Sequence, residues 1–386
     1  MIELTLFVDH QCNLRCSYCY NGAKFTRRMS ADTMRKAVDL ALSQPTPHLD
    51  VAFFGGEPLL ELDLLKETSE YVDEAISRLP PPRPTHRILL NTNGTLFDDE
   101  SLDWLAPPRV ATVFVSLDGP RDVHNRYRVD AAGRGSFDRV MKGLEMLRDR
   151  GIAFQLLGVV SVDTAPRLAE TAKLLLSQRA RKATLSINYR DEWTEESCAA
   201  LRQGLADAGD VWMRMFRNGT PFPFDPFHTK ILTHLKGGIP CPSRCLLGGH
   251  EFTVVPSGRI YPCAQMVGED SRHDLLIGHV DTGLERERMA ELQALKDRVE
   301  QTCAPCAMKD RCQSHCGCRH LALSGTLGEI TATLCETETA VIEAADRVAE
   351  TLFSERCEAF VDYYYKRNWV PSAGARLTQL RLSRDA

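Results

Sequence analysis

Along the first half of the chain, short runs of apolar and β-branched residues alternate with longer stretches in which apolar positions recur every three or four residues. Six runs read as strands buried on both faces: Ile2 to Val8, Val51 to Phe54, Arg87 to Leu90, Val110 to Leu117, Phe154 to Val160 and Ala183 to Asn188. The stretches between them read as helices. Ser30 stands as an N-cap before Met34, Ala37, Val38 and Ala41, and Ser136 likewise before Val140, Leu144 and Leu147. Pro80, Pro81, Pro82 and Pro84 break the chain ahead of the third strand. The alternation predicts an α/β fold with a parallel sheet over residues 1–215. Six units are too few to close an eight-stranded barrel, which leaves a partial barrel or a doubly wound sheet.

Beyond Asp191 the pattern changes. Thr194 to Phe216 reads as one helix, and the proline and aromatic mixture from Pro221 to Phe227 reads as a linker, placed at 216–240. A cysteine-rich region follows over 241–355, with a hairpin expected from Phe252 to Tyr261 and helices over Glu285 to Val299 and Thr333 to Phe353. The tail, 356–386, carries Tyr363, Tyr364, Tyr365 and Trp369.

Length and charge narrow the class. A chain of 386 residues suggests two domains. It has no run of about 18 apolar residues to span a bilayer, and Met1 leads straight into a strand without a signal segment, so a cytoplasmic protein with no membrane partner is expected. A net charge of -5 supplies no field to attract nucleic acid. Fourteen cysteines in a long chain without a signal point to metal or redox chemistry rather than a disulfide scaffold.

The sharpest motif is Cys12-Asn-Leu-Arg-Cys16-Ser-Tyr-Cys19, directly after the first strand. Three soft thiolates from one turn can ligate three irons of a four-iron four-sulfur cluster, whereas structural zinc wants four ligands, usually as two pairs. Gly55-Gly56-Glu57-Pro58 follows the second strand, where glycines permit close backbone approach to a ligand beside a carboxylate. Asn91-Thr-Asn93-Gly94, Ser116-Leu-Asp118-Gly-Pro120 and the loop from His124 to Arg128 follow the third and fourth strands, at the ends where ligands of parallel sheets gather. Taken alone, Arg128 reads as a solvated loop charge. Late in the chain come Cys241, Cys245, Cys263, Cys303, Cys306, Cys312, Cys316, Cys318 and Cys335. A zinc knuckle can begin with their C-x2-C-x5-C spacing, but eight of these nine divide into two sets of four, as two clusters require. Cys198 and Cys357 read as buried bystanders.

The early loop, with Tyr18 just before its last cysteine, resembles the signature of the radical S-adenosylmethionine (SAM) enzymes. The late spacing resembles their SPASM extension, so that the resemblance runs from Cys12 to Cys335. It implies a partial (βα)6 TIM-like barrel followed by a domain of auxiliary iron-sulfur clusters. It further implies that Cys12, Cys16 and Cys19 hold a cluster whose open iron binds SAM, that the Gly55, Gly56 and Glu57 stretch meets the SAM amino group, and that Asn93, Ser116, Asp118 and Arg128 lie around SAM. Two auxiliary 4Fe-4S clusters are implied as well: an outer one on Cys303, Cys306, Cys312 and Cys335, and an inner one on Cys245, Cys263, Cys316 and Cys241, with Cys318 an alternative ligand.

The same resemblance implies a flavodoxin or ferredoxin as electron donor and a peptide or protein substrate. Sulfatase maturation is disfavoured because Ala264 follows Cys263 where those enzymes typically carry an Asp. The expectation is therefore a peptide maturase forming a thioether, ether or carbon-carbon crosslink, with Asn188, Tyr189, Arg190 and Asp191 facing the substrate. No leader-binding domain fits ahead of Ile2, so a separate protein or the aromatic tail is expected to present the peptide. The alternatives are formylglycine formation, a small-molecule radical SAM oxidoreductase, and a non-catalytic zinc or cluster scaffold.

Overall fold

A computed structural model describes residues 1–237 and 245–366. Its chain falls into two compact units, the first made of Met1–Leu157 with Leu246–Ala294, the second of the described residues from Gly158 to Cys245 and from Leu295 onward. The architecture is an α/β fold with an open parallel sheet.

In the first unit, β1 (Ile2–Phe7), β2 (His48–Phe54), β3 (Thr85–Thr92), β4 (Thr112–Ser116) and β5 (Phe154–Val160) pair in parallel in chain order. The register lines up Leu4, Val51 and Ile88 across three strands. Leu4, Leu6, Val51, Phe53, Leu90 and Val115 are fully buried, as strands covered on both faces demand. The helix Ala31–Leu42 starts as expected, with Ser30 Oγ accepting from Thr33 N at 3.0 Å, and buries Met34, Ala37, Val38 and Ala41. Ser136 precedes the helix Phe137–Asp149 but does not cap it. It is buried in a tight return of the chain, and its hydroxyl donates instead to Arg128 O at 2.8 Å.

The predicted hairpin forms from Glu251–Val254 and Arg259–Tyr261. Its first strand pairs in parallel with β1, Leu4 against Phe252, so the late chain extends the early sheet.

In the second unit, β6 (Lys182–Ile187) pairs in parallel with β7 (Phe224–Asp225), Ala183 opposite Phe224. The stretch expected as a linker is therefore a strand, followed by the helix Phe227–Leu235. Its aromatics explain the change: Phe224 and Phe227 are fully buried against Trp212, whose indole N–H donates to Phe222 O at 2.8 Å. The helix Glu195–Arg217 opens on a capping box between Thr194 and Ser197. Tyr363 and Tyr364 of the tail are buried against Phe216 and Phe360, so they do not present a reading surface to a peptide. Trp369 and Cys241 lie outside the described residues. Among the described residues no helix is long and apolar enough to cross a membrane.

Candidate active site

The loop after β1 is closed by its own first residue. One carboxylate oxygen of Asp9 accepts from Gln11 N at 3.0 Å and from Arg27 N at 2.8 Å, which gathers the intervening cysteines at the carboxyl end of the strand. Buried Leu14 anchors the loop, and Arg15 N and Ser17 N donate to Val129 O and Tyr127 O at 2.6 and 3.1 Å.

The glycines at the end of β2 are packed against this loop. Gly55 has φ +136°, and a Cβ on Gly56 would lie 1.9 Å from Gln11 O. Gly56 N and Glu57 N donate to Asp9 O and Gln11 O at 2.8 and 3.0 Å, so the turn is pressed against the main chain leading into Cys12. The Glu57 carboxylate is buried and already engaged, accepting from Thr92 Oγ1 and Asn93 N, both at 2.7 Å, and from Leu59 N at 3.2 Å. Burial outweighs these neutral donors and raises its pKa to about 7. Asn93 continues the chain of contacts, its amide donating to Asn13 Oδ1 at 2.8 Å and lying 3.9 Å from Cys12 Sγ.

At the end of β4, Asp118 and Arg128 hold one another in a bidentate pair at 2.9 and 3.1 Å. Arg128 is thus buried, not a solvated loop charge. The Tyr18 hydroxyl donates to the same carboxylate, and the guanidinium lies 5.4 Å from the Tyr18 ring centre. Burial pushes the Asp118 carboxyl up, but Arg128 and the other partners outweigh it and hold the group below its ordinary range. Tyr18, just before Cys19, is therefore pinned by buried charge. Ser116, the last residue of β4, is half-buried opposite Leu157 in β5.

Cys12 is buried, and Cys16 and Cys19 are half-buried. Burial pushes the Cys12 thiol up to about 12 and raises Cys16, so neither favours the thiolate without a cation to hold it. Donors to sulfur are already in place. Leu14 N donates to Cys12 Sγ at 3.4 Å, and Lys24 Nζ donates to Cys19 Sγ at 3.0 Å. Sequence reasoning missed Lys24, since a lysine five residues beyond a motif carries no pattern of its own. Among the described residues no three His, Cys, Asp or Glu side chains are closed into a single-ion cage. Three soft thiols served by N–H donors suit a cluster, which draws its sulfurs around a larger body than one zinc ion.

Among the described residues no cysteine is joined in a disulfide. Cys303, Cys306, Cys312 and Cys335 belong to the second unit, and burial, followed by the neighbouring Cys303 and Cys306, raises the Cys335 thiol. Cys245 and Cys316 also belong to the second unit and Cys263 to the first. Cys318 is buried, and its thiol hydrogen-bonds Cys316. Residues of the Asn188 to Asp191 group secure the chain leaving β6. Asn188 Nδ2 donates to Asp191 Oδ1 at 2.6 Å, Val162 N donates to Asp191 Oδ2 at 3.0 Å, and Tyr189 is buried beneath Arg319 at 4.9 Å.

Residues 8–175 match the radical SAM superfamily model. The chain is 26% identical over 334 residues to the cysteine-type anaerobic sulfatase-maturating enzyme of Clostridium perfringens, covering 79% of this chain and 85% of that protein. Among solved structures it is similar to native anSMEcpe with bound AdoMet (TM-score 0.77, 21% identity, 91% of this chain and 99% of that one). It is also similar to Streptococcus suis SuiB bound to the precursor peptide SuiA (TM-score 0.60, 14% identity, 86% of this chain and 75% of that one).

Proposed function

This chain is an enzyme with a radical SAM domain, homologous to the anaerobic sulfatase-maturating enzymes, and from that premise we propose that it modifies a peptide or protein. The observation that carries the reading is the single gathered site at the ends of β1 to β4, where three thiols, Glu57, Asn93 and the Tyr18, Asp118 and Arg128 trio meet. Cys12, Cys16 and Cys19 would hold a four-iron cluster, and Gly55, Gly56, Asn93, Ser116 and Arg128 would border SAM. When bound, a reduced cluster and SAM supply a 5'-deoxyadenosyl radical for hydrogen abstraction. The protein's own part is to fix the loop, keep Glu57 and Asp118 occupied with internal donors, and exclude water from the buried side.

A peptide substrate is favoured because one relative bears the name of sulfatase maturation and one structural neighbour holds a precursor peptide. Ala264 after Cys263 favours a crosslinked or otherwise oxidised peptide over formylglycine. Homology to the sulfatase-maturating enzymes keeps formylglycine formation as the second reading. Cys303, Cys306, Cys312 and Cys335 would hold an outer auxiliary cluster, and Cys241, Cys245, Cys263 and Cys316 an inner one. A flavodoxin or ferredoxin would supply electrons, and a separate leader-binding protein would present the peptide.

Anaerobic reconstitution tests the reading. About twelve irons per chain and dithionite-dependent 5'-deoxyadenosine are expected, together with a mass change on a short precursor peptide encoded beside the gene. A colourless zinc protein would sink it. Turnover of a sulfatase peptide to formylglycine would select the second reading.

A further inference from the structure

Away from the SAM site, the second unit buries an ion network that the proposed chemistry leaves unused. Lys230 on the helix Phe227–Leu235 and Glu338 on the helix Ala332–Ser354 pair at 2.7 Å, their side chains 3% and 4% exposed. Glu338 spends both oxygens. One takes Lys230 Nζ and Gln313 N, the latter at 3.0 Å, and the other takes Arg319. Lys230 also donates to Arg311 O at 2.7 Å, and Arg319 to the Gln313 side chain. Arg311 is tied to Asp346 by two bonds of 2.6 and 2.8 Å.

The sequence positions give these contacts their meaning. Arg311 and Gln313 flank Cys312, Arg319 is three residues past Cys316, and Glu338 is three residues past Cys335, one turn along the same helix. Three segments that carry cysteines thus converge on one carboxylate, together with a helix that carries none. A buried lysine and a half-buried arginine around a single buried anion cost more than they return unless every partner is present, so the network is all or nothing. Neutral core packing would have served stability alone as well or better.

We infer that Glu338 is a positioning residue for the auxiliary clusters, locking the Cys312, Cys316 and Cys335 segments in register so that Cys312 and Cys335 can meet in the outer cluster while Cys316 is held for the inner one. The inference rests on the auxiliary-cluster reading above. It assigns no new ligand. It says which side chain makes ligands from distant parts of the chain act together.

The test is iron and sulfide content after anaerobic reconstitution, with electron paramagnetic resonance of the reduced protein, for the full-length chain and its Glu338→Gln, Glu338→Asp and Lys230→Met variants. Wild type should bind about twelve irons and Glu338→Gln about eight if one auxiliary cluster is lost or about four if both are, with the corresponding auxiliary signals gone. The SAM-cluster signal and 5'-deoxyadenosine formation should persist in that variant, which shows that it has folded. Glu338→Asp should recover part of the lost iron. If Glu338→Gln does not fold, Lys230→Met carries the comparison, since it removes one cation of the same network with Glu338 in place, and it too should lose auxiliary iron. Wild-type iron and unchanged auxiliary signals in Glu338→Gln, or in Lys230→Met when that variant stands in, overturn the inference. About four irons in wild type itself would remove the auxiliary clusters and the inference with them.

Discussion

Two buried glutamates, one beside each group of cysteines, are held in opposite ways. Glu57 in the first unit receives only neutral donors, two backbone amides and the Thr92 hydroxyl, and its pKa rises to about 7. Glu338 in the second unit is desolvated as well, but Arg319 and Lys230 outweigh burial and its pKa falls to about 2. Neutral hydrogen bonds satisfy a carboxylate without repaying the loss of water, whereas buried cations do repay it. The contrast follows from how each group of cysteines is assembled. The early thiols come from one eight-residue loop, seated by backbone contacts along neighbouring strand ends. The late cysteines lie on separate segments, and those of Cys312, Cys316 and Cys335 are tied together through Glu338.

The largest expected effect tests whether the two assemblies are independent. Replacing Cys12, Cys16 and Cys19 together with Ala should abolish SAM cleavage while about eight irons remain bound, measured as 5'-deoxyadenosine and iron after reconstitution. Retained cleavage would break the assignment. Next, Asp118→Ala leaves Arg128 buried without its counter-charge and unpins Tyr18. Stability should drop by about 3–5 kcal/mol in denaturant titration, with iron lost from the early loop and kept in the late set.

A third experiment opposes the two glutamates directly, in the chain before cluster loading. Above its ordinary value of 4.5, Glu57 keeps in the folded state a proton that the unfolded chain has released, so stability falls as pH rises from 4.5 to about 7. That limb amounts to about 3 kcal/mol. Glu338 lies below 4.5, so its contribution is present above that pH and lost as pH falls toward about 2, also by about 3 kcal/mol. Glu57→Gln should flatten the upper limb of a stability-against-pH curve and Glu338→Gln the lower one. If each variant alters the other's limb, the two glutamates titrate as one system and the contrast between them fails. The smallest effect is expected at Gly56→Ala, where the added Cβ meets Gln11 O. A loss of about 2 kcal/mol is expected, with weaker iron retention in the early loop alone.

Much of the site could be read from residue order. Cys12, Cys16 and Cys19, the turn at Gly55 and the strand ends at Asn93 and Ser116 are local patterns, and the structure brings them to one end of the sheet. Other readings failed where a residue's partner is far away in the chain. Ser136 looks like a cap, yet bonds Arg128 O instead. Arg128 looks solvated, yet Asp118 and Tyr18 bury it. Residues 221–227 look like a linker, but Trp212 gives their aromatic rings a core.

The sequence by itself determined the six βα units, the Ser30 cap and the spacing of every cysteine, because each depends on periodicity or on neighbours within a few residues. Only the tertiary structure decided that Glu251–Val254 would pair with β1, that the two glycines would make room for the chain's own backbone, and that Glu338 would gather the segments of Cys312, Cys316 and Cys335. Sheet-edge pairing, close backbone approach and buried ion pairs are contacts between residues tens to hundreds of positions apart. Their energies depend on geometry and on the exclusion of water, and no local pattern of residues records either.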